Sequence, residues 1–156
     1  MASNVQNRAV KELADGTYTW LSSTIKAGLV GTAVAFTPNV DKDFLDEGGA
    51  NDIIDCELNG VSGYTRGFGG AGRKALASKT ITEVDASDRA EFSSAGLTWT
   101  ALGAGDTIAY IFFCVEVTND AASKLIAIGD VTDTPTNGGD VTINPGTGGW
   151  FYGTTV

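Results

Sequence analysis

The feature that most constrains the fold of this chain is its longest apolar run, which extends from Ile108 to Val117. Glu116 is the only charged residue in it, and Asn119 and Asp120 follow as a stop signal. β-Branched and aromatic side chains dominate the run, which favours a strand over a helix. Because it lacks polar alternation, such a strand must be covered on both faces. The run therefore predicts the central strand of a sheet.

Further segments have the composition of short strands bounded by Gly, Asp and Asn turns: residues 76–84, 90–92, 97–102, 124–128 and 136–143. Turns of this kind punctuate antiparallel sheets. We therefore predict a mainly β protein, an antiparallel β-sandwich or barrel-like single domain covering residues 1–156. A chain of this length is enough for one such domain and its core.

The N-terminal region predicts a short helix over residues 4–15. Asn4 can cap it, an apolar stripe recurs every four residues from Val5, and Gly16 occupies the position of a terminating glycine. Residues 18–20 and 24–30 then predict a hairpin. In its second strand the odd-numbered residues 25, 27 and 29 would face the core, and the even-numbered ones would face solvent.

Regularity is lost from residue 37 to residue 72, which we predict to be an extended loop or arm, with one helical turn at Phe44 and Leu45. Its last part, residues 60–72, is rich in glycine. A long stretch without secondary structure in a small domain is usually functional. We therefore predict that Tyr64, Arg66 and Phe68 contribute to an interface.

Three aromatic residues follow the glycines at 148 and 149, namely Trp150, Phe151 and Tyr152. Adjacent side chains of a strand point to opposite faces, so at least one of the three must face solvent or another subunit. Two interpretations stay open: an edge strand with one exposed aromatic residue, or an assembly contact. The three residues are included in the predicted interface.

The sequence offers little support for catalysis. It contains no His, the side chain most used for proton transfer near neutral pH, and only two Cys, so we predict no enzyme, no metal and no cofactor. Gly67, Gly69 and Gly72 match a dinucleotide-binding spacing, but the strand and helix that should flank it are missing. The acidic residues around position 43 lack the EF-hand pattern and predict a solvated loop. We expect Cys114 to be a buried free thiol, and the three Trp to pack in the core or an interface rather than bind sugars.

The net charge of −9 repels phosphate backbones and anionic membranes, so neither nucleic acid nor a membrane is an expected partner. The first residues contain no apolar signal region, and no stretch approaches ~20 apolar residues. We therefore expect synthesis in a reducing cytoplasm.

Several short motifs together resemble those of a known family. They are Asp15-Gly16 followed by residues 18–20, residues 24–30, Phe44-Leu45, residues 97–102, 106–109 and 125–128, and the closing segment 136–143. Their order resembles small virion structural proteins of tailed bacteriophages, except that segment 60–72 is longer than expected.

This resemblance implies a capsid decoration (cement) protein on the capsid exterior. Its partners would be the major capsid protein and further copies of itself, as a dimer or trimer. The alternatives are a tail or head–tail joining protein and, in another class, a carbohydrate- or receptor-binding module.

Overall fold

The computed structural model describes residues 3–154. Within that range the chain forms ten strands and two short helices: β1 (Ser3–Val5), α1 (Asn7–Ala14), β2 (Lys26–Gly31), α2 (Ile53–Cys56), β3 (Lys74–Ala75), β4 (Thr80–Val84), β5 (Arg89–Ser93), β6 (Leu97–Trp99), β7 (Thr107–Val115), β8 (Lys124–Pro135), β9 (Val141–Ile143) and β10 (Phe151–Thr154). All strand pairs are antiparallel. The predicted mainly β, antiparallel class is confirmed.

The strands form three sheets. The largest has the order β1-β8-β7-β2-β3, a three-stranded sheet has the order β10-β5-β4, and β6 pairs with β9. Strand β7 is the middle strand of the largest sheet and is covered on both faces. Ile111 and Phe113 belong to one core cluster, while Phe112 and Cys114 belong to a second cluster on the other face. The predicted central strand is therefore confirmed.

The helix begins later than predicted, because the residues before it form a strand. Ser3 pairs with Gly129 and Val5 with Ala127, so β1 adds to the edge of β8, and Gln6 is at the helix N-cap. The prediction that Asn4 caps the helix is therefore wrong. The end was predicted correctly, since Asp15 is the C-cap and Gly16 follows with φ +74°.

The predicted hairpin of residues 18–20 with 24–30 does not form. Tyr18 and Trp20 lie in an irregular turn with both side chains buried, and the Trp20 indole donates to the Ser93 carbonyl at 3.1 Å. Strand β2 pairs instead with β7 and β3. Its even-numbered face is not exposed to solvent, because Gly28 is buried beneath the side chains of Tyr64 and Phe112.

Residues 37–72 form a loop that contains only α2 and two isolated bridges, from Phe44 to Lys124 and from Glu57 to Val30. No helical turn forms at Phe44, because that residue pairs with β8. The loop packs on the domain instead of extending as an arm. Val61 and Tyr64 are buried in its glycine-rich part, and Gly72 lies directly beneath the Tyr64 ring.

The later strands match the predicted positions with different bounds. Strand β4 starts only at Thr80, two residues after a left-handed Ser78 (φ +52°). A 3-10 turn at Asp85–Ser87 connects it to β5, in agreement with the predicted turn. Strand β8 continues to Pro135, and β9 contains only the last three residues of segment 136–143.

Candidate interaction surface

Tyr64, which the sequence assigns to an interface, is a core residue. Its side chain is buried among the residues of the larger core cluster. Its hydroxyl donates to Glu57 Oε1 at 2.9 Å and accepts the Leu29 backbone N–H at 2.9 Å. Burial raises the pKa of this phenol well above its ordinary value, and the nearby Glu57 carboxylate raises it further. Tyr64 therefore fixes the loop to β2 and is not a surface contact.

A buried ionic network explains why the loop is held in place. Arg73 has no exposed side-chain surface and pairs with Glu57 Oε2 at 2.6 Å, with Asp120 Oδ1 at 2.5 Å and with Glu116 Oε1 at 3.2 Å. Lys26 pairs with Glu116 as well. Burial lowers the pKa of the Arg73 guanidinium, but the carboxylates of Glu57 and Asp120 raise it by more. The sequence shows these charges, but not that the chain brings them together.

Arg66 and Phe68, the other two predicted interface residues of this loop, are exposed. The Arg66 guanidinium donates to the Ile54 carbonyl at 3.1 Å. The Phe68 backbone N–H donates to Asp120 Oδ2 at 3.0 Å. The residue itself is 44% exposed. Both remain available to a partner.

One side chain of the aromatic triplet points outward, in agreement with the prediction that not all three can be buried. Trp150 and Phe151 are buried: the Trp150 indole donates to Ser94 Oγ at 2.7 Å, and Phe151 stacks on Phe92 with centroids 5.1 Å apart. Tyr152 is 45% exposed, and the Arg89 guanidinium lies 4.8 Å from its ring centroid. Of the triplet, Tyr152 therefore faces solvent, whereas Trp150 and Phe151 are core residues.

A groove of about 380 Å³, which we call the apolar groove, lies next to Tyr152. Its lining residues come from α1, the turn before β2, β1 and the three-stranded sheet: Val5, Val10, Leu13, Ala14, Thr19, Trp20, Ile81, Phe92, Phe151, Tyr152 and Gly153. The sheet wall is a row of cross-strand partners, because Ile81 opposes Phe92 and Phe92 opposes Phe151. Val10 of α1 and Ile81 of β4 are exposed at 56% and 46% and belong to the rim of the groove.

The groove was not predicted, although each of its residues is visible in the sequence. Its walls come from segments far apart in the chain, and only the pairing of β4, β5 and β10 aligns Ile81, Phe92 and Phe151. Val10 gives a partial indication of the groove in the sequence. It is an apolar residue of the helix that lies outside the predicted apolar stripe of Val5, Ala9 and Leu13, so the stripe does not account for it.

The acidic segment near Asp43 is held by basic side chains and backbone N–H groups. Lys42 pairs with Asp52 Oδ1 at 2.6 Å, and Asp52 Oδ2 accepts the backbone N–H groups of Glu47 at 2.8 Å and Gly49 at 3.0 Å. Burial raises the pKa of Asp52, but these hydrogen bonds outweigh it and the net shift is downward. Among residues 3–154 no group of three or more His, Cys, Asp or Glu is placed to hold a metal ion.

Both cysteines are free and buried. Burial raises the pKa of Cys114, and it raises the pKa of Cys56 with smaller contributions from Asp55 and Asp52. The predicted buried free thiol at Cys114 is confirmed. All three Trp are likewise buried, at 1% exposure each, in agreement with their predicted packing role.

Comparison of the chain with models of known protein families gives no match, and comparisons with curated proteins and with solved structures give no significant match. Neither helix in the described part of the chain is long and apolar enough to span a membrane.

Proposed function

We propose that this protein is a structural protein of a tailed-bacteriophage virion, a capsid decoration protein that binds the outer surface of the major capsid protein shell. The observation that carries the proposal is the apolar groove, together with its exposed rim at Val10, Ile81 and Tyr152. Apolar surface left open on a well-packed domain is typical of sites that bind other proteins. The groove would receive an apolar segment of the capsid protein.

The charge of the chain is compatible with an exterior position. A net charge of −9 disfavours contact with packaged DNA, which carries dense negative charge of its own. Rigidity supports the same role, because the long loop is tied to the sheet through Arg73 and Tyr64 and offers a fixed surface. A preformed surface loses little conformational entropy when it binds.

The carbohydrate-binding alternative has less support. Sugar-binding modules stack sugar rings on exposed aromatic faces, but Trp20, Trp99 and Trp150 are all buried. Tyr152 is exposed, yet Arg89 already lies against its ring. A tail or head–tail joining protein remains the second candidate, since the same groove would serve any protein partner in the virion.

The test is binding of the purified protein to phage heads assembled without it. We expect the protein to sediment with the heads and to raise the temperature at which they release DNA. Val10→Glu places a charge on the groove rim and should abolish co-sedimentation; Val10 is 56% exposed, so the fold should tolerate it. Val117→Glu makes the same change at a residue that is 52% exposed but outside the groove, and should leave binding intact.

Three outcomes would overturn the decoration role. They are absence of binding to heads, binding to tails or connectors alone, and retention of a glycan by a monomeric protein that ignores heads. Equal binding by Val10→Glu and Val117→Glu would exclude the groove as the contact.

A further inference from the structure

We infer that β4 is a self-association edge, at which two copies of this chain pair β4 antiparallel to β4 across a two-fold axis. The two three-stranded sheets would then become one continuous sheet. This inference concerns the purified protein and does not rest on the proposed function. It is carried by the direction of the backbone groups of β4, by its side chains and by the charges at its ends.

The backbone groups of Ile81 point away from the sheet. The Trp150 N–H donates to the Phe92 carbonyl at 2.8 Å, so the backbone groups of Phe92 face β10. Ile81 is the partner of Phe92 on β4. In an antiparallel ladder that pair is a non-hydrogen-bonded one, so the N–H and C=O of Ile81 face outward, as do those of Glu83 two residues on. No strand within residues 3–154 pairs with this side of β4.

The strand lacks three of the usual protections against pairing, namely a Pro, a bulge and a covering strand within residues 3–154. Natural edge strands carry Pro, Lys, a bulge or a covering segment, which prevent contact with other chains. In β4, Thr80–Val84, four of the five residues are β-branched, its register with β5 is unbroken, and all but Val84 are exposed. Ile81, the second residue of the strand, is 46% exposed. Such an edge is suited to β-sheet addition.

The charges select one register. With Ile81 on the two-fold axis, Ile81 contacts Ile81 of the partner subunit and Lys79 lies opposite Glu83 of the partner subunit, twice over. The Lys79 ammonium donates to the Ser23 carbonyl, and Glu83 is exposed on β4. Directly opposed opposite charges stabilise an antiparallel pair. If the axis passed through Glu83, the Glu83 carboxylates of the two copies would lie opposite each other. If it passed through Thr82, the apolar Ile81 side chain of each copy would lie opposite the Glu83 carboxylate of the other.

The overall charge acts against this association. Two chains of −9 each repel one another, and the repulsion weakens as salt screens it. The apolar contact at Ile81 and the two Lys79–Glu83 pairs must exceed this repulsion. The geometry is isologous and closed, so it produces a dimer and not a trimer.

The test is the mass of the protein in solution, measured by sedimentation equilibrium. We expect twice the 16.1 kDa of one chain. Glu83→Lys and Lys79→Glu should each raise the dissociation constant about tenfold or more, because each places like charges opposite one another twice. The double variant Lys79→Glu/Glu83→Lys restores opposite charges and should dimerise about as well as the original chain. Asp133→Lys, at an exposed strand residue, is the control for the change in net charge that Glu83→Lys makes.

Circular dichroism and thermal unfolding must show that each variant is folded. A wild-type monomer at about 1 mM would overturn the inference, and so would a trimer. Dimers that neither single charge reversal weakens, or that the double variant fails to restore, would overturn it as well.

Discussion

The guanidinium of Arg73 and the carboxylate of Glu57 form an ion pair with 2.6 Å between Nη2 and Oε2, and neither side chain has exposed surface. The two residues flank the glycine-rich residues 60–72 on either side. A segment whose composition suggests an unattached arm is therefore closed by an ion pair between the residues that flank it.

Removing one partner of this pair should be costly. We expect Arg73→Met to lower the free energy of unfolding by about 3–5 kcal/mol, because it leaves the Glu57 carboxylate buried without its partner. The double variant Arg73→Met/Glu57→Met should recover at least part of this loss. Urea denaturation gives both values. Arg66→Met, at an exposed position in the same loop, serves as the control and should change stability by less than about 0.5 kcal/mol.

Gly28 should not accept even a methyl group. A Cβ there would lie 2.6 Å from Phe112 Cε1 and 2.8 Å from the Tyr64 hydroxyl. We expect Gly28→Ala to destabilise the protein by about 1–3 kcal/mol through overpacking. In contrast, Gly153→Ala in β10 meets nothing within 4 Å and should be tolerated. Equal melting temperatures for the two variants would contradict the close packing of Tyr64 on β2.

The Asp52 carboxylate should make the stability depend on acidity. Its pKa is lowered in the folded protein, so its contribution is present above the unfolded value of about 3.9 and is lost as the pH falls through the lower folded value. We expect Asp52→Asn to cost about 1–3 kcal/mol at neutral pH, and much less once the native carboxyl is protonated. Denaturant titrations across this range measure the difference. A loss that is the same at neutral and acid pH would contradict the role of the charge; Asp133→Asn is the exposed control.

The two thiols should be unreactive until the protein unfolds. Burial raises the pKa of Cys56 and Cys114, and neither thiol is accessible to a reagent. A thiol-specific chromogenic reagent should therefore label neither residue in the native state and both in urea. Ala121→Cys introduces a thiol at an exposed position and should react at once. Rapid labelling of one native equivalent would show that a cysteine is accessible.

Local pattern was sufficient for several elements. The apolar run from Ile108 predicted β7 and its central place, because a strand with no polar face has to be covered on both sides. Gly16 predicted the end of α1, since a left-handed residue after a helix favours glycine. Strand alternation predicted that at least one residue of the aromatic triplet faces outward, and the structure shows that this residue is Tyr152.

Contacts between distant segments decided what the pattern could not. Residues 18–20 have strand composition, yet Trp20 inserts beneath β5 and prevents a local hairpin. Asn4 resembles a helix cap, yet it lies in β1 opposite Ile128 of β8, and the helix starts only at Asn7. Tyr64 resembles an interface residue, yet its hydroxyl is fixed by Leu29 and Glu57.

The sequence by itself determined the β class, the central strand, the net negative charge and the buried thiol, because each depends on composition or on periodicity along a few residues. Only the tertiary structure decided which strands pair, and with that the apolar groove, the Arg73 network and the free edge of β4. The groove forms only when Val10, Ile81 and Phe151 lie close together. The ionic network likewise forms only when Glu57, Arg73 and Asp120 are in contact. These contacts between residues distant in the sequence depend on the topology of the sheets, which no local pattern encodes.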